Sequence, residues 1–124
     1  MILIDSFGWI EFFTDGPQAD QYESHLKELS EVITPTIVLY EVYKKVRRER
    51  SEEDAFLVAA QMQKTRIVHL TAEIAFSAAE LSLNYQLPMA DSIIYSTARS
   101  EQCPVVTSDP HFEDLEGVVF VKSD

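Results

Sequence analysis

Two kinds of hydrophobic stretch alternate along the 124-residue chain. Short, fully apolar runs are typical of parallel strands that are buried on both faces. We assign five strands, at residues 1–4, 32–34, 66–70, 105–107 and 118–121. Between the strands, apolar residues recur at helical spacing. This spacing, together with capping and turn residues, predicts helices over residues 7–13, 18–29, 35–50, 51–64, 71–85 and 88–102.

Short strands that alternate with helices predict a specific class of architecture. We expect an α/β fold with three α/β/α layers, built on a central, mostly parallel sheet of about five short strands. In such sheets, ligands bind beyond the carboxyl ends of the strands. The chain contains no internal repeat, low-complexity segment or linker, so we predict one domain over residues 1–124.

Composition excludes several classes of function. With 46% hydrophobic residues the chain can bury a core, while a net charge of −11 argues against a sequence-blind nucleic-acid binder. A single cysteine, Cys103, excludes an internal disulfide and a cysteine-based zinc site. Three glycines provide neither a P-loop nor a dinucleotide-binding loop. Since we see no membrane span and no signal peptide, we expect a cytoplasmic protein.

Four carboxylates occupy positions where solvation is poor. Asp5 directly follows the first strand, and Asp109 closely follows the fourth. Glu41 lies in the otherwise apolar run 37–43, and Asp91 begins a helix that has an apolar stripe. If these groups converge, their repulsion raises pKa values or demands a cation. Oxygen ligands favour Mg²⁺ or Mn²⁺, and such ions support phosphodiester hydrolysis by activating water.

Each of these acids also has a purely structural explanation. Asp5 can cap the helix after the first strand, and Asp91 can complement a helix dipole. Asp109 stands before a proline, where aspartate favours a turn. Glu41 can pair with a lysine one turn along its own helix. These alternatives stay open for each residue taken singly.

Four short motifs resemble those of the PIN-domain family, and within it the VapC-type toxin ribonucleases. The motifs are Asp5-Ser6 followed by Trp9-Ile10-Glu11, Val38-Leu39-Tyr40-Glu41-Val42, Leu87-Pro88-Met89-Ala90-Asp91-Ser92-Ile93-Ile94 and Thr107-Ser108-Asp109-Pro110-His111-Phe112. They span nearly the whole chain in the family's order. The resemblance implies a PIN-like α/β/α domain with metal-dependent endoribonuclease activity. It also implies a homodimer, an RNA substrate and a paired VapB-type antitoxin.

The resemblance assigns Asp5, Glu41, Asp91 and Asp109 as catalytic, holding Mg²⁺ or Mn²⁺. Many relatives carry a further acid where His111 stands; here Glu113 or Asp114 is the candidate substitute, or the site has four acids only. Ser6 and Thr107 are candidates to hold a water molecule or to orient an acid, or they are helix and turn caps.

A basic cluster, Lys44, Lys45, Arg47 and Arg48, follows Glu41 on the same predicted helix. It is a candidate RNA contact that guides phosphates to the site. The alternative is a solvated helix end whose cations complement the helix dipole. At the level of function, the alternative to a ribonuclease is a PIN-fold module that binds RNA or a protein without cleaving.

Overall fold

The structure is a computed structural model that describes residues 1–122. Within these residues, five strands form a single, fully parallel sheet in the order β3-β2-β1-β4-β5. They are β1 (Ile2–Ile4), β2 (Val32–Pro35), β3 (Arg66–Val68), β4 (Val105–Thr107) and β5 (Val118–Phe120). The predicted parallel sheet is therefore confirmed.

The strand order reverses direction beside β1. The chain places β2 and β3 on one side of β1 and then returns to add β4 and β5 on the other side. In register, Leu3 lies opposite Ile33 on one side and Val105 on the other. A reversal of this kind opens a crevice beyond the carboxyl ends of the two strands that flank it. Here those strands are β1 and β4.

In the described part of the chain, six helices surround the sheet. They are α1 (Ser6–Phe13), α2 (Ala19–Glu23), α3 (Thr36–Glu49), α4 (Glu52–Met62), α5 (Ala72–Tyr85) and α6 (Met89–Ser100). Short 3₁₀ turns occur at Leu29–Glu31 and Pro110–Phe112. Side-chain caps start α4 and α5, because Ser51 accepts from the Asp54 amide and Thr71 accepts from the Ile74 amide.

The core lies on both faces of the central strands. Leu3 and Ile4 of β1 and Val105 and Val106 of β4 are completely buried, as a parallel sheet covered on both sides requires. Apolar residues of α3 and α4 continue the same cluster. Within residues 1–122, every helix is too short or too polar to cross a membrane.

One predicted helix is wrong. The expected helix over residues 18–29 ends at Glu23, although Tyr22 and Leu26 are buried as their spacing suggested. Beyond that point the amides of His25 and Leu26 bond to carbonyls three residues back, and the Ser24 hydroxyl donates to the Gln21 carbonyl. These local bonds replace the helical pattern with turns.

The other predicted elements begin and end within two residues of their observed bounds. Pro88, which was predicted to lie in the first helical turn, is instead the extended residue that precedes α6. Its ψ of 158° lies outside the helical region, and helix α6 therefore begins at Met89.

Candidate functional site

Asp5 occupies the crevice between β1 and β4 and is only 2% exposed. One carboxylate oxygen, Oδ1, accepts from the Gly8 amide at 3.0 Å and caps α1. The other, Oδ2, accepts from the Thr107 hydroxyl at 2.5 Å. The capping explanation is thus correct for half of the carboxylate, while the other half faces the end of β4.

Thr107 connects the two strand ends. Its hydroxyl donates to Asp5 and accepts from the Asp109 amide at 2.9 Å. The side chain is completely buried, so these bonds are formed away from solvent. Thr107 therefore orients both Asp5 and the backbone that carries Asp109.

Asp109, Asp91 and His111 form the tightest group in the site. Asp109 is buried and accepts from the His111 amide at 3.0 Å, which starts the 3₁₀ turn after β4. Asp91 lies in the first turn of α6. The His111 Nδ1 atom lies 2.8 Å from Asp91 Oδ2 and 3.1 Å from Asp109 Oδ1. One ligand atom of each residue falls within 4.8 Å of the other two.

Glu41, the fourth predicted acid, lies on α3. Its Oε1 atom accepts from the Ser6 hydroxyl at 2.5 Å, so Ser6 orients this acid. The predicted alternative, in which Glu41 pairs with Lys44 or Lys45, is wrong for the described residues. Lys44 instead donates to a tyrosine hydroxyl, and Lys45 pairs with Glu49 at 3.4 Å.

The charges of these acids affect one another's pKa values. Burial, with a smaller effect from the charges of Asp109 and Asp91, raises the pKa of Asp5 to about 7, although hydrogen bonds from Thr107 and Gly8 act to lower it. Burial, with the charges of Asp109 and Glu41, raises the pKa of Asp91 to about 6, although His111 acts to lower it. We call Asp5, Glu41, Asp91 and Asp109 the acidic cluster.

The acidic cluster lacks a permanent counter-charge among residues 1–122. There, no lysine or arginine forms an ion pair with Asp5, Asp91 or Asp109, and His111 is the only basic side chain that pairs with the last two. Buried carboxylates of this kind cost free energy unless a proton or a cation compensates them. Their donor atoms therefore fit a divalent ion with oxygen-rich coordination.

The remaining candidates divide between the site and the surface. Glu113 and Asp114 are exposed, and neither belongs to the group within 4.8 Å, which consists of Asp91, Asp109 and His111; Asp5 and Glu41 lie outside that group as well. His111 is the member of the group that the sequence did not assign to the site. The available signal was its spacing, two residues after Asp109 at the start of a predicted turn.

A cleft of about 510 Å³ runs from Glu41 along α3. We call it the basic cleft; its lining includes Ser6, Glu41, Lys44, Lys45 and Arg48. Arg47, the fourth predicted RNA contact, does not line the cleft and instead pairs with Glu52 at 3.3 Å. Three of the four predicted cations thus line the same cleft as Glu41, whereas Asp5, Asp91 and Asp109 do not line it.

A model of the PIN domain family matches residues 2–118 of the chain. The protein therefore belongs to the PIN domain family, as its motifs predicted. No curated protein matches the sequence.

Solved structures give the same fold. A chain of a toxin–antitoxin complex from Klebsiella pneumoniae has a TM-score of 0.84 at 21% identity, with 100% of both chains covered. Mycobacterium tuberculosis VapC20, a sarcin–ricin loop cleaving toxin, has a TM-score of 0.72 at 18% identity and covers 82% of this chain and 84% of its own. VapBC2 from Rickettsia felis, bound to promoter DNA, has a TM-score of 0.78 at 19% identity over 100% of both chains.

Proposed function

We propose that the protein is a metal-dependent endoribonuclease that hydrolyses RNA phosphodiester bonds, the VapC-type toxin of a toxin–antitoxin pair. The observation that carries this proposal is that Asp91 and Asp109 offer ligand atoms within 4.8 Å of each other, while Asp5 and Glu41 lie near enough for their charges to act on this group. Burial and mutual repulsion raise the pKa of two of them, Asp5 and Asp91. A capping or surface role for each acid gives no reason for this arrangement.

In this proposal Asp5, Glu41, Asp91 and Asp109 hold Mg²⁺ or Mn²⁺. A divalent ion there supplies an activated water molecule and stabilises the charge on the leaving oxygen. The chain's own residues position the reaction around it. Thr107 holds Asp5 through its hydroxyl. Ser6 holds Glu41 in the same way.

RNA binding is assigned to the basic cleft. Its cations, Lys44, Lys45 and Arg48, lie beside Glu41, where they can contact backbone phosphates on either side of the scissile bond. The net charge of −11 disfavours RNA elsewhere on the protein. Local cations within an acidic protein therefore confine the RNA strand to the path that leads to the acidic cluster.

We assign the partner as a VapB-type antitoxin, because toxin–antitoxin complexes are among the structures with this fold. A second cleft of about 600 Å³ lies between α3 and α4 and contains the apolar side chains of Leu39, Tyr43 and Phe56. Tyr40 lines both this cleft and the basic cleft. An antitoxin segment that packs there would also obstruct the approach of RNA.

We further propose that residues 1–124 form one PIN-like domain that acts as a homodimer in the cytoplasm. Large apolar side chains, including Phe76 and Leu83 of α5, are mostly exposed in the single chain, and a second copy would cover them. Light scattering decides the point, since a mass of 14.1 kDa at micromolar concentration would exclude the dimer.

The nuclease proposal is tested with Asp5→Asn and Asp91→Asn, which keep the shape of the side chains. With Mn²⁺ the wild type cleaves RNA and a chelator abolishes the cleavage. Each variant loses activity by at least about 100-fold, because even groups that only support a metal ligand contribute 10–100-fold. Glu80→Gln, an exposed change on α5, is the matched control and keeps full activity.

Full cleavage by the Asp5→Asn/Asp91→Asn double variant, with circular dichroism unchanged, contradicts the site assignment. The non-cleaving alternative has a distinct signature. Wild-type protein then binds RNA in a filter or gel-shift assay but leaves it intact with either Mg²⁺ or Mn²⁺.

A further inference from the structure

His111 is held against two acids by three separate features of the fold. Its own backbone amide donates to Asp109 Oδ1, which fixes the start of the 3₁₀ turn. The next residue, Phe112, is completely buried and anchors the turn in the core. The Phe112 ring packs against Tyr95 of α6, with the ring centres 6.3 Å apart.

This packing links the turn to the helix that carries Asp91. Asp91 and Tyr95 are four residues apart and lie on one face of α6, so Phe112 fixes the distance between the His111 turn and Asp91. The result is an imidazole Nδ1 atom between two carboxylates, 2.8 Å from Asp91 and 3.1 Å from Asp109. The ring itself is more than half exposed, so no apolar pocket explains its position.

Asp91, Asp109 and His111 offer two kinds of metal-binding atom. Two carboxylate oxygens and one imidazole nitrogen lie within 4.8 Å of one another. Mg²⁺ prefers oxygen ligands, whereas imidazole suits the transition metals, whose affinity for such sites increases along the series that begins with Mn²⁺. A neutral histidine can offer Nδ1 as a ligand while its proton resides on Nε2. In His111 that second nitrogen belongs to a solvent-exposed ring.

We propose that His111 is a metal ligand alongside Asp91 and Asp109, and that its nitrogen makes the site favour Mn²⁺ over Mg²⁺. The inference rests on the proposed function, because it refines which ion the same site takes. It concerns binding of the ion and can be measured without RNA. In the absence of metal, the same Nδ1 atom donates a hydrogen bond to the acids.

The first test is pulsed electron paramagnetic resonance of the Mn²⁺-loaded wild-type protein, in a buffer free of nitrogen ligands. We expect the ¹⁴N modulation of a coordinated imidazole, and we expect it to disappear in His111→Asp. The matched control is His69→Asp, which makes the same substitution at an exposed position outside the site. It should retain the modulation.

The second test is calorimetric titration of the same three proteins with Mn²⁺ and with Mg²⁺. His111→Asp supplies an oxygen in place of the nitrogen, so it should still bind metal, and the ratio of the two dissociation constants should shift in favour of Mg²⁺. His69→Asp should keep the wild-type ratio.

Bound Mn²⁺ without ¹⁴N modulation, or an unchanged ratio in His111→Asp, overturns the role of His111 and leaves the proposed nuclease site intact. A wild-type protein that binds neither ion overturns both proposals.

Discussion

At the scale of single residues, Asp5 both caps a helix and belongs to the candidate site. It caps α1 with one oxygen, while the other is held by Thr107 in a buried crevice. Burial, together with the charges of Asp109 and Asp91, raises its pKa to about 7. Asp5 therefore takes up a proton on folding at pH values where an unfolded chain would leave it ionised.

This difference predicts how stability depends on pH. The pKa of Asp5 is 3.8 for the unperturbed group and about 7 in the folded protein, so the folded state binds the proton more tightly. The contribution of Asp5 to stability is therefore fully present below about pH 4 and is lost as the pH rises from about 4 to 7, with each unit of pKa difference worth about 1.4 kcal/mol. Without metal, the melting temperature should fall across this range.

Asp5→Asn should flatten that fall, because asparagine retains the cap and does not titrate. Thermal unfolding from pH 5 to 8 in the presence of a chelator is the measurement, with Glu80→Gln as the control that keeps the wild-type slope. An Asp5→Asn protein whose melting temperature follows the wild-type curve would refute the buried-carboxylate account.

The placement of three of the predicted acids could be read from sequence because each occupies a position with a recognisable environment. Asp5 and Asp109 follow apolar strands, and Glu41 interrupts an apolar helical run. The contact of His111 with two of the acids could not be predicted. It depends on the direction of the side chain, which the buried Phe112 fixes through packing between distant segments.

At the scale of elements, α3 carries both an acid and the cations that lead to it. Counting from Glu41, the residues Lys44, Lys45 and Arg48 lie three, four and seven positions along, and these spacings place them on one face of a helix. Arg47 lies six positions along and faces Glu52 on α4. The spacing in the sequence therefore already distinguishes Arg47 from the other three cations.

Charge reversal on that face should weaken RNA binding. In an Asp91→Asn background without metal, the triple change Lys44→Glu, Lys45→Glu and Arg48→Glu should reduce both affinity and its dependence on salt. Loss of up to three phosphate contacts reduces the slope of log K against log salt by up to about 2. A salt titration by fluorescence anisotropy with a labelled RNA measures both quantities.

Arg47→Glu is the matched control, because it alters the same helix outside the basic cleft. It should leave the salt slope close to its starting value. If the triple variant binds RNA with unchanged affinity, the cations are only the solvated end of α3.

The contrast between α2 and the longer helices shows which element predictions succeed. Ser51 and Thr71 are recognisable caps, and their helices start where the sequence indicates. For residues 18–29, the spacing of apolar residues was the main signal for a helix. Turns formed by local hydrogen bonds after Glu23 are compatible with the same spacing. Apolar spacing predicted which side chains are buried and did not predict the backbone that buries them.

At the scale of the whole molecule, strand order creates the site. Residues Asp5 and Thr107 are 102 positions apart, yet their side chains are hydrogen-bonded because β1 and β4 are neighbours. The hydrophobic pattern predicted the strands and the parallel sheet but did not specify which strands are adjacent. Convergence of the acidic cluster is therefore a property of the topology.

The central claim is that these acids repel one another and are stabilised by a metal ion. An ion that binds the folded protein and not the unfolded chain stabilises it by about 1.4 kcal/mol at ten times its dissociation constant. For a domain of this size the melting temperature should rise by roughly 4–8 °C. Asp91 distinguishes the possibilities because it is either a ligand or simply an acid in the first turn of α6.

The most direct test is thermal unfolding of the wild type and Asp91→Asn at pH 8, each with a chelator and with Mn²⁺. If Asp91 belongs to a repelling metal site, the variant without metal melts above the wild type, and its response to Mn²⁺ is small or absent. If Asp91 only stabilises its helix, the variant melts below the wild type and the full response to Mn²⁺ persists, which would contradict the account.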